Sequence, residues 1–247
     1  MKNFTVLIKE SFEIHKQKIK PILALATILI TLEIILSSSL GYLLAMGKMG
    51  DVANITGTFL VFSYLSIGIM PLAIICSMFI TFSFLILTVK PSGTGLKEVL
   101  QEAWKKFWQY FLIIILTSFF IILSSIFLII PGIIVAVYLG FSPYAFIAEG
   151  KRGINSLKRS WNLIKGSWWK VFGRLILLSI FFGIISVILS SINLILSLTF
   201  PLTFLYAILL HFVNFFYIMP LIMIFLYLIY SDLKKSKEIQ VQTQTQV

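Results

Sequence analysis

Residues 157–173 read LKRSWNLIKGSWWKVFG. Three of the chain's five tryptophans fall here, set among Lys158, Arg159, Lys165 and Lys170, in a chain that is 59% hydrophobic. Tryptophan beside lysine or arginine suits two surroundings. One is a nucleic-acid groove, where bases stack on indoles; the other is a membrane interface, where the ring settles at headgroup level.

The flanks favour the membrane. Mean hydropathy is +1.03 and only 12% of residues are charged, far from the composition of soluble domains. Apolar runs long enough to cross about 30 Å of hydrocarbon recur along the chain. Six spans are expected, at roughly 21–45, 57–89, 109–130, 133–149, 171–197 and 202–230. The first is too long for a signal-peptide core and shows no cleavage pattern, so it is expected to stay as an anchor. Cys76 is the single cysteine, which excludes an intramolecular disulfide and a cysteine-based metal cluster.

Charge supplies an orientation. With the N-terminus inside, the inner segments are 1–20, 90–108, 150–170 with the nearby Arg174 at the edge of the fifth span, and the polar tail 231–247. They hold nineteen of the 20 cations; Lys48, beside Asp51, is the exception. Basic loops are retained on the cytoplasmic side during insertion, so this split predicts both termini cytoplasmic in a multi-pass cell-membrane protein. The net charge of +11 then reports topology, and nucleic acid is a poor explanation for it.

The opening stretch has relatives within the chain. Leu157-x-x-Ser160-Trp161 matches Leu100-x-x-Ala103-Trp104 and, more loosely, Ile8-x-x-Ser11-Phe12. Each lies on a segment with helical periodicity: 3–19, 95–108 and 153–168. The expected apolar stripes are Phe4, Ile8, Phe12, His15 and Ile19; then Leu96, Val99, Leu100, Ala103, Trp104, Phe107 and Trp108; then Ile154, Leu157, Trp161, Ile164 and Trp168. Such helices lie in the interface with the stripe towards lipid. In each unit a proline follows in the second of two spans: Pro71, Pro143 and Pro220. The expected fold is all-α: one membrane domain, 1–247, with six spans and three cytoplasmic-face amphipathic helices. It is a threefold helix-plus-hairpin repeat with units 1–90, 91–150 and 151–247.

From Pro131 to Gly173 the motif residues are Pro131, Gly132, Pro143, Tyr144, Glu149, Gly150, Arg159, Ser160, Trp161, Lys165, Gly166, Trp168 and Gly173. This pattern resembles the membrane domain associated with glycerophosphoryl diester phosphodiesterases. The resemblance implies a multi-pass module. In fused family members catalysis belongs to a separate soluble barrel. Because the sequence ends at Val247, after a Gln/Thr tail, no barrel and no catalytic residue are expected here.

Candidate chemistry is sparse. No GxSxG, P-loop, HExxH or dinucleotide-binding glycine string occurs, so no nucleophile–base pair, cofactor site or metal site is expected. Most acids among the inner cations, including Glu10, Glu102 and Asp232, read as solvated charges, and Glu149 as a helix end near Lys151 and Arg152. Glu33 differs: it lies about 18 Å into the first span, where a carboxylate is costly and faces protein or water. His211 and Asn214, in the sixth span, are the other polar candidates at depth. A Glu33–His211 pair reads as a proton or ion site, a structural clamp, or a carboxyl kept protonated. The prolines read either as kinks or as broken helices beside a substrate site.

The leading expectation is a non-enzymatic membrane protein. Its basic inner face, with Trp104, Trp108, Lys158, Arg159, Trp161, Lys165, Trp168, Trp169 and Lys170, would bind anionic lipid or a membrane or cytoplasmic protein partner. The alternative is a small-solute or lipid transporter using Glu33 and His211.

Overall fold

A computed structural model describes residues 2–31, 71–72, 74–199, 210 and 212–245. Among these residues the chain is all helical, with no strand. Glu33, His211, most of the expected first span, the first half of the expected second and the start of the expected sixth lie outside the described residues.

The first amphipathic segment is α1 (Phe4–Gln17). A one-residue turn at Lys18 leads into α2 (Ile19–Thr31), and Pro21 sits in the first turn of α2, where its missing N–H costs nothing. The second apolar helix is α3 (Ile74–Val89). After a short loop, α4 runs unbroken through Leu96–Phe127, 32 residues or about 48 Å of helix. This corrects the separation of an interfacial helix 95–108 from a span 109–130. No glycine or proline occurs in α4, so nothing ends the helix where its polarity changes.

At Leu128 the backbone is extended, and α5 (Ile129–Leu139) folds back on α4. Gly132 makes that hairpin tight: a Cβ there would stand 2.0 Å from Ser125 Oγ. Pro131 falls in the first turn of α5, again where an N–H is dispensable. The span breaks at Gly140–Phe141 and resumes as α6 (Ser142–Glu149), with Pro143 at its second position. Then α7 (Ile154–Ile164) doubles back and packs on α6, α5 and α4. Gly166, at φ +86°, turns the chain into α8 (Trp168–Thr199).

The last segment, helical at Phe212 and Val213, widens into a π turn at Asn214–Ile218 and continues as α9 (Met219–Thr245). Pro220 follows the π turn, and a widened turn is one way a helix accommodates a missing donor. The tail expected from residue 231 onward is a helical extension of α9, in keeping with its Lys, Glu and Gln content.

Four helical stretches are long and apolar enough to cross a membrane: Leu96–Ile126, Ile129–Glu149, Trp168–Ile192 and Asn214–Gln240. Burial separates them into two classes. In α4 and α8 only 11% of the most apolar stretch is buried, against 44% for α5–α6 and for the last span. The latter pair forms the middle of the bundle. Phe82 of α3 stacks on Tyr110 at 4.1 Å, and Phe4 of α1 packs edge-on against Phe225 of α9 at 5.3 Å.

Candidate functional site

Polar side chains collect where α5, α6, α7 and α9 meet. The break between α5 and α6 leaves backbone groups that must find partners in an apolar setting. Pro143 provides no N–H and displaces the carbonyl of Leu139, four residues earlier. Ser142 Oγ donates to that carbonyl. Ser160, on α7, completes the repair: its Oγ donates to the Tyr138 carbonyl at 2.6 Å and accepts the Phe141 N–H at 3.2 Å. Trp161 beside it stacks on Tyr138 at 4.0 Å.

About two turns beyond the break, Glu149 closes α6. Its carboxylate accepts two hydrogen bonds from Arg159, Nε at 2.8 Å and Nη2 at 3.0 Å. A third comes from the Tyr230 hydroxyl at 2.5 Å, and Lys234 Nζ stands 3.9 Å away. The Glu149 side chain is 10% exposed. A carboxylate gripped by a bidentate guanidinium and a phenol has little capacity left to act as a base. The cluster is a clamp across α6, α7 and α9. Lys151 and Arg152, expected as partners of Glu149, are exposed and form no ion pair among the described residues.

Other acids read as solvated are also paired. Glu102 lies 2.7 Å from both Lys90 and Lys106, and Glu10 pairs with Lys2. Asp232 accepts the Lys2 backbone N–H at 2.8 Å and faces Arg174 at 3.5 Å. Polarity is swapped between two of these pairs. Lys90 just after α3 meets Glu102, whereas Glu149 ending α6 meets Arg159, and each helix residue directly precedes the small residue of its repeat.

That small residue is buried in every copy: Ser11, Ala103 and Ser160 are at most 1% exposed. The aromatic that follows is open, with Phe12 at 40%, Trp104 at 78% and Trp161 at 41%. The expected lipid-facing stripes are therefore divided, with Phe12, Trp104 and Trp161 open and other members buried against protein. Leu7, Ser11 and His15 face inward on α1; Val99, Ala103 and Phe107 do so on α4; Leu157, Ser160 and Ile164 do so on α7. Bulky apolar side chains tolerate lipid, and small ones let helices approach.

Lys18 is buried at the α1–α2 turn, and its ammonium donates to the carbonyls of Leu87 at 2.7 Å, Thr88 at 3.3 Å and Lys90. It thereby caps α3, and burial lowers its pKa to about 8. His15 is wedged between Phe216 and Tyr217 at 5.5 and 5.4 Å. Neither ring nitrogen has a hydrogen-bond partner among the described residues, and burial pushes its pKa down, favouring the neutral form.

Of the expected lipid contacts, Trp108 and Trp169 are 73% and 77% exposed. Trp168 is half-buried and stacks on Phe172 at 4.6 Å. Lys158, Lys165 and Lys170 are exposed, without ion pairs among the described residues, whereas Arg159 is held by Glu149. Asn214 lines a cavity of about 410 Å³ with Tyr110, Gly140, Pro143, Tyr144 and Met219. Sequence reasoning missed Ser160, Tyr230 and Lys18 as structural polar groups. The signal for Ser160 was its place in the repeat; Tyr230 carries no local pattern.

Fold and site define a helical protein with four candidate membrane spans, its kinked central spans locked by side chains from α7 and α9. The chain belongs to the family described as Domain of unknown function (DUF7847), whose model matches residues 19–233. That description assigns no activity and names no phosphodiesterase. Nothing among the curated proteins or the solved structures matches the chain.

Proposed function

We propose that the chain is a non-enzymatic, six-span protein of the cell membrane, with both termini cytoplasmic. Its basic, tryptophan-rich inner face engages anionic lipid or a protein partner. In this reading α2 and α3 belong to the first two spans. The buried Ser11, Ala103 and Ser160 and the charge-swapped pairs support a threefold repeat. The likeness to the phosphodiesterase-associated membrane domain is part of the same proposal, since Pro143, Glu149, Arg159 and Ser160 belong both to that motif and to the clamp.

The observation that carries the lipid reading is exposure joined to charge. Trp104, Trp108 and Trp169 stand open in helix segments that also bear Lys105 and Lys170, which have no ion pair among the described residues. Each such cation near an anionic surface contributes about 1 kcal/mol. The test uses the full chain in bilayers of mixed phosphatidylglycerol and phosphatidylcholine. Spin-labelled lipids should show phosphatidylglycerol enriched around the protein. Replacing Lys105, Lys158, Lys165 and Lys170 by Gln should abolish that enrichment; enrichment unchanged by the substitutions overturns the lipid reading and leaves the protein partner.

A second reading, transport of a small solute or lipid using Glu33 and His211, draws on the 410 Å³ cavity that Asn214 lines with Pro143 and Met219. Solute or proton flux into liposomes containing the chain, lost in Asn214→Leu, would favour it.

A further inference from the structure

A second cavity, of about 440 Å³, opens between α4, α5 and α7. Its walls are apolar, with Phe120 from α4, Leu139 from α5, and Leu157 and Trp161 from α7. Two polar side chains one helical turn apart on α7, Lys158 and Asn162, also line it, and both residues are exposed. This volume falls within the range of ligand pockets, roughly 300–1,000 Å³. The site is not part of the clamp, although α7 contributes to both.

We propose that this groove holds one acyl chain of an anionic phospholipid, with its phosphate against Lys158 and Asn162. Three observations commit the site to that occupant. First, one wall belongs to α4, whose apolar stretch is only 11% buried, so the groove borders the surface that lipid covers. Second, Lys158 is exposed and has no acidic partner among the described residues. Glu149, the acid that pairs with the neighbouring Arg159, is already engaged by Arg159 and Tyr230. Third, the lining matches the two ends of the ligand: apolar walls, with an exposed ammonium and carboxamide one helical turn apart on α7. Buried polar atoms would be unsuited to an acyl chain, and Ser124, the other polar residue in the wall, sits one helical turn from Phe120 on a helix whose serines bond their own backbone.

The inference deepens the lipid reading of the inner face by giving it one defined site. The test uses the full chain with Trp161 as its only tryptophan, the other four being replaced by Phe, in nanodiscs. Phospholipids with brominated acyl chains quench tryptophan on contact. At equal mole fraction, brominated phosphatidylglycerol should quench Trp161 about fivefold more effectively than brominated phosphatidylcholine, the preference one cation near an anionic lipid supplies. Lys158→Gln should bring the ratio close to one, and Lys158→Arg should keep it. Val135→Phe, which fills the groove without touching charge, should reduce quenching by both lipids. A reporter tryptophan at Ile184, on the exposed face of α8, should show no preference in any variant.

A ratio near one at Trp161 in the unsubstituted chain overturns the proposal. So does weaker quenching at Trp161 than at Ile184 with both lipids, which would mean that protein, from this chain or a second copy, fills the groove. If phosphatidylglycerol still gathers around the whole chain while Trp161 shows no preference, the groove falls and the basic-face reading stands. If both disappear, both fall.

Discussion

The stretch from Trp104 to Phe111 and the stretch from Trp161 to Phe172 carry similar residues in a similar order: an aromatic, a pair of cations or a cation with glycine, paired aromatics, then an apolar run. The first is the middle of one helix, and the second is folded at Gly166 between two. Amphipathic periodicity is common to both and does not distinguish them. The difference lies in Gly166, whose φ of +86° is open to glycine and unfavourable to residues with a Cβ. A change of polarity along a helix turns the helix only where a residue permits the backbone to turn. The second difference is what the break is used for. Because α7 is a separate piece, it can lie against the α5–α6 kink and place Ser160 and Arg159 there; the equivalent part of α4 has no such freedom, and its Ala103 has no kink to repair.

The largest effect should come from the clamp. Glu149→Ala strands the Arg159 guanidinium and the Tyr230 hydroxyl, and removal of one partner from a buried pair costs about 3–5 kcal/mol. With Arg159 29% exposed, roughly 2–3 kcal/mol is expected after allowing for screening, read as a lowered thermal midpoint in detergent. The reversed pair, Glu149→Arg with Arg159→Glu, mimics the polarity of Lys90–Glu102 and should recover part of that loss. No recovery would show that Tyr230 and Lys234 fix the polarity.

Ser160→Ala comes next. It removes a donor to Tyr138 and an acceptor for Phe141, leaving buried backbone groups unpaired at about 1–3 kcal/mol. The counterpart Ala103→Ser should be close to neutral, since a serine in a helix can bond its own backbone, as Ser11 does to Leu7 at 2.7 Å. An equal loss at the two positions would remove the distinction between the regions.

Gly166→Ala should cost about 1–3 kcal/mol through backbone strain, because nothing lies within 4 Å of the Cβ it would add. Its clearest sign would be a greater distance between spin labels at Lys158 and Lys170 as the chain straightens towards the form of α4. The smallest effect belongs to Glu102→Ala. Lys90 and Lys106 are 39% and 36% exposed, and exposed pairs contribute about 0–1 kcal/mol. A loss there matching that of Glu149→Ala would mean that the two pairs are equivalent after all.

Much of the architecture is legible in the residues. The apolar runs after residue 109 mark the four long spans, and the prolines at 143 and 220 mark departures from regular helix. The faces of the amphipathic segments are harder. Counting apolar side chains puts Val99, Ala103, Leu157 and Ile164 on one lipid-facing stripe with Trp104 and Trp161, and so does not separate the residues buried against protein from those left open. In a membrane bundle the large apolar residues can face lipid, while Ser11, Ala103 and Ser160 sit where helices touch. The clamp is legible only in its near half. Glu149 and Arg159 are ten residues apart, but Tyr230 comes from 81 residues away through packing of α9 that no local pattern encodes. Continuity of α4 was open to reading from the absence of any glycine or proline between Leu96 and Phe127.

The ammonium of Lys18 bears on how the protein is made. Its acceptors at Leu87 and Thr88 are 69 and 70 residues later in the chain, so they do not exist when Lys18 leaves the ribosome. Until they are synthesised, a charge at the mouth of α2 must remain in water or among headgroups. The first helical pair can therefore dock only after the end of α3 has been made, and the first hairpin matures as a unit, its opening helix waiting for its closing one.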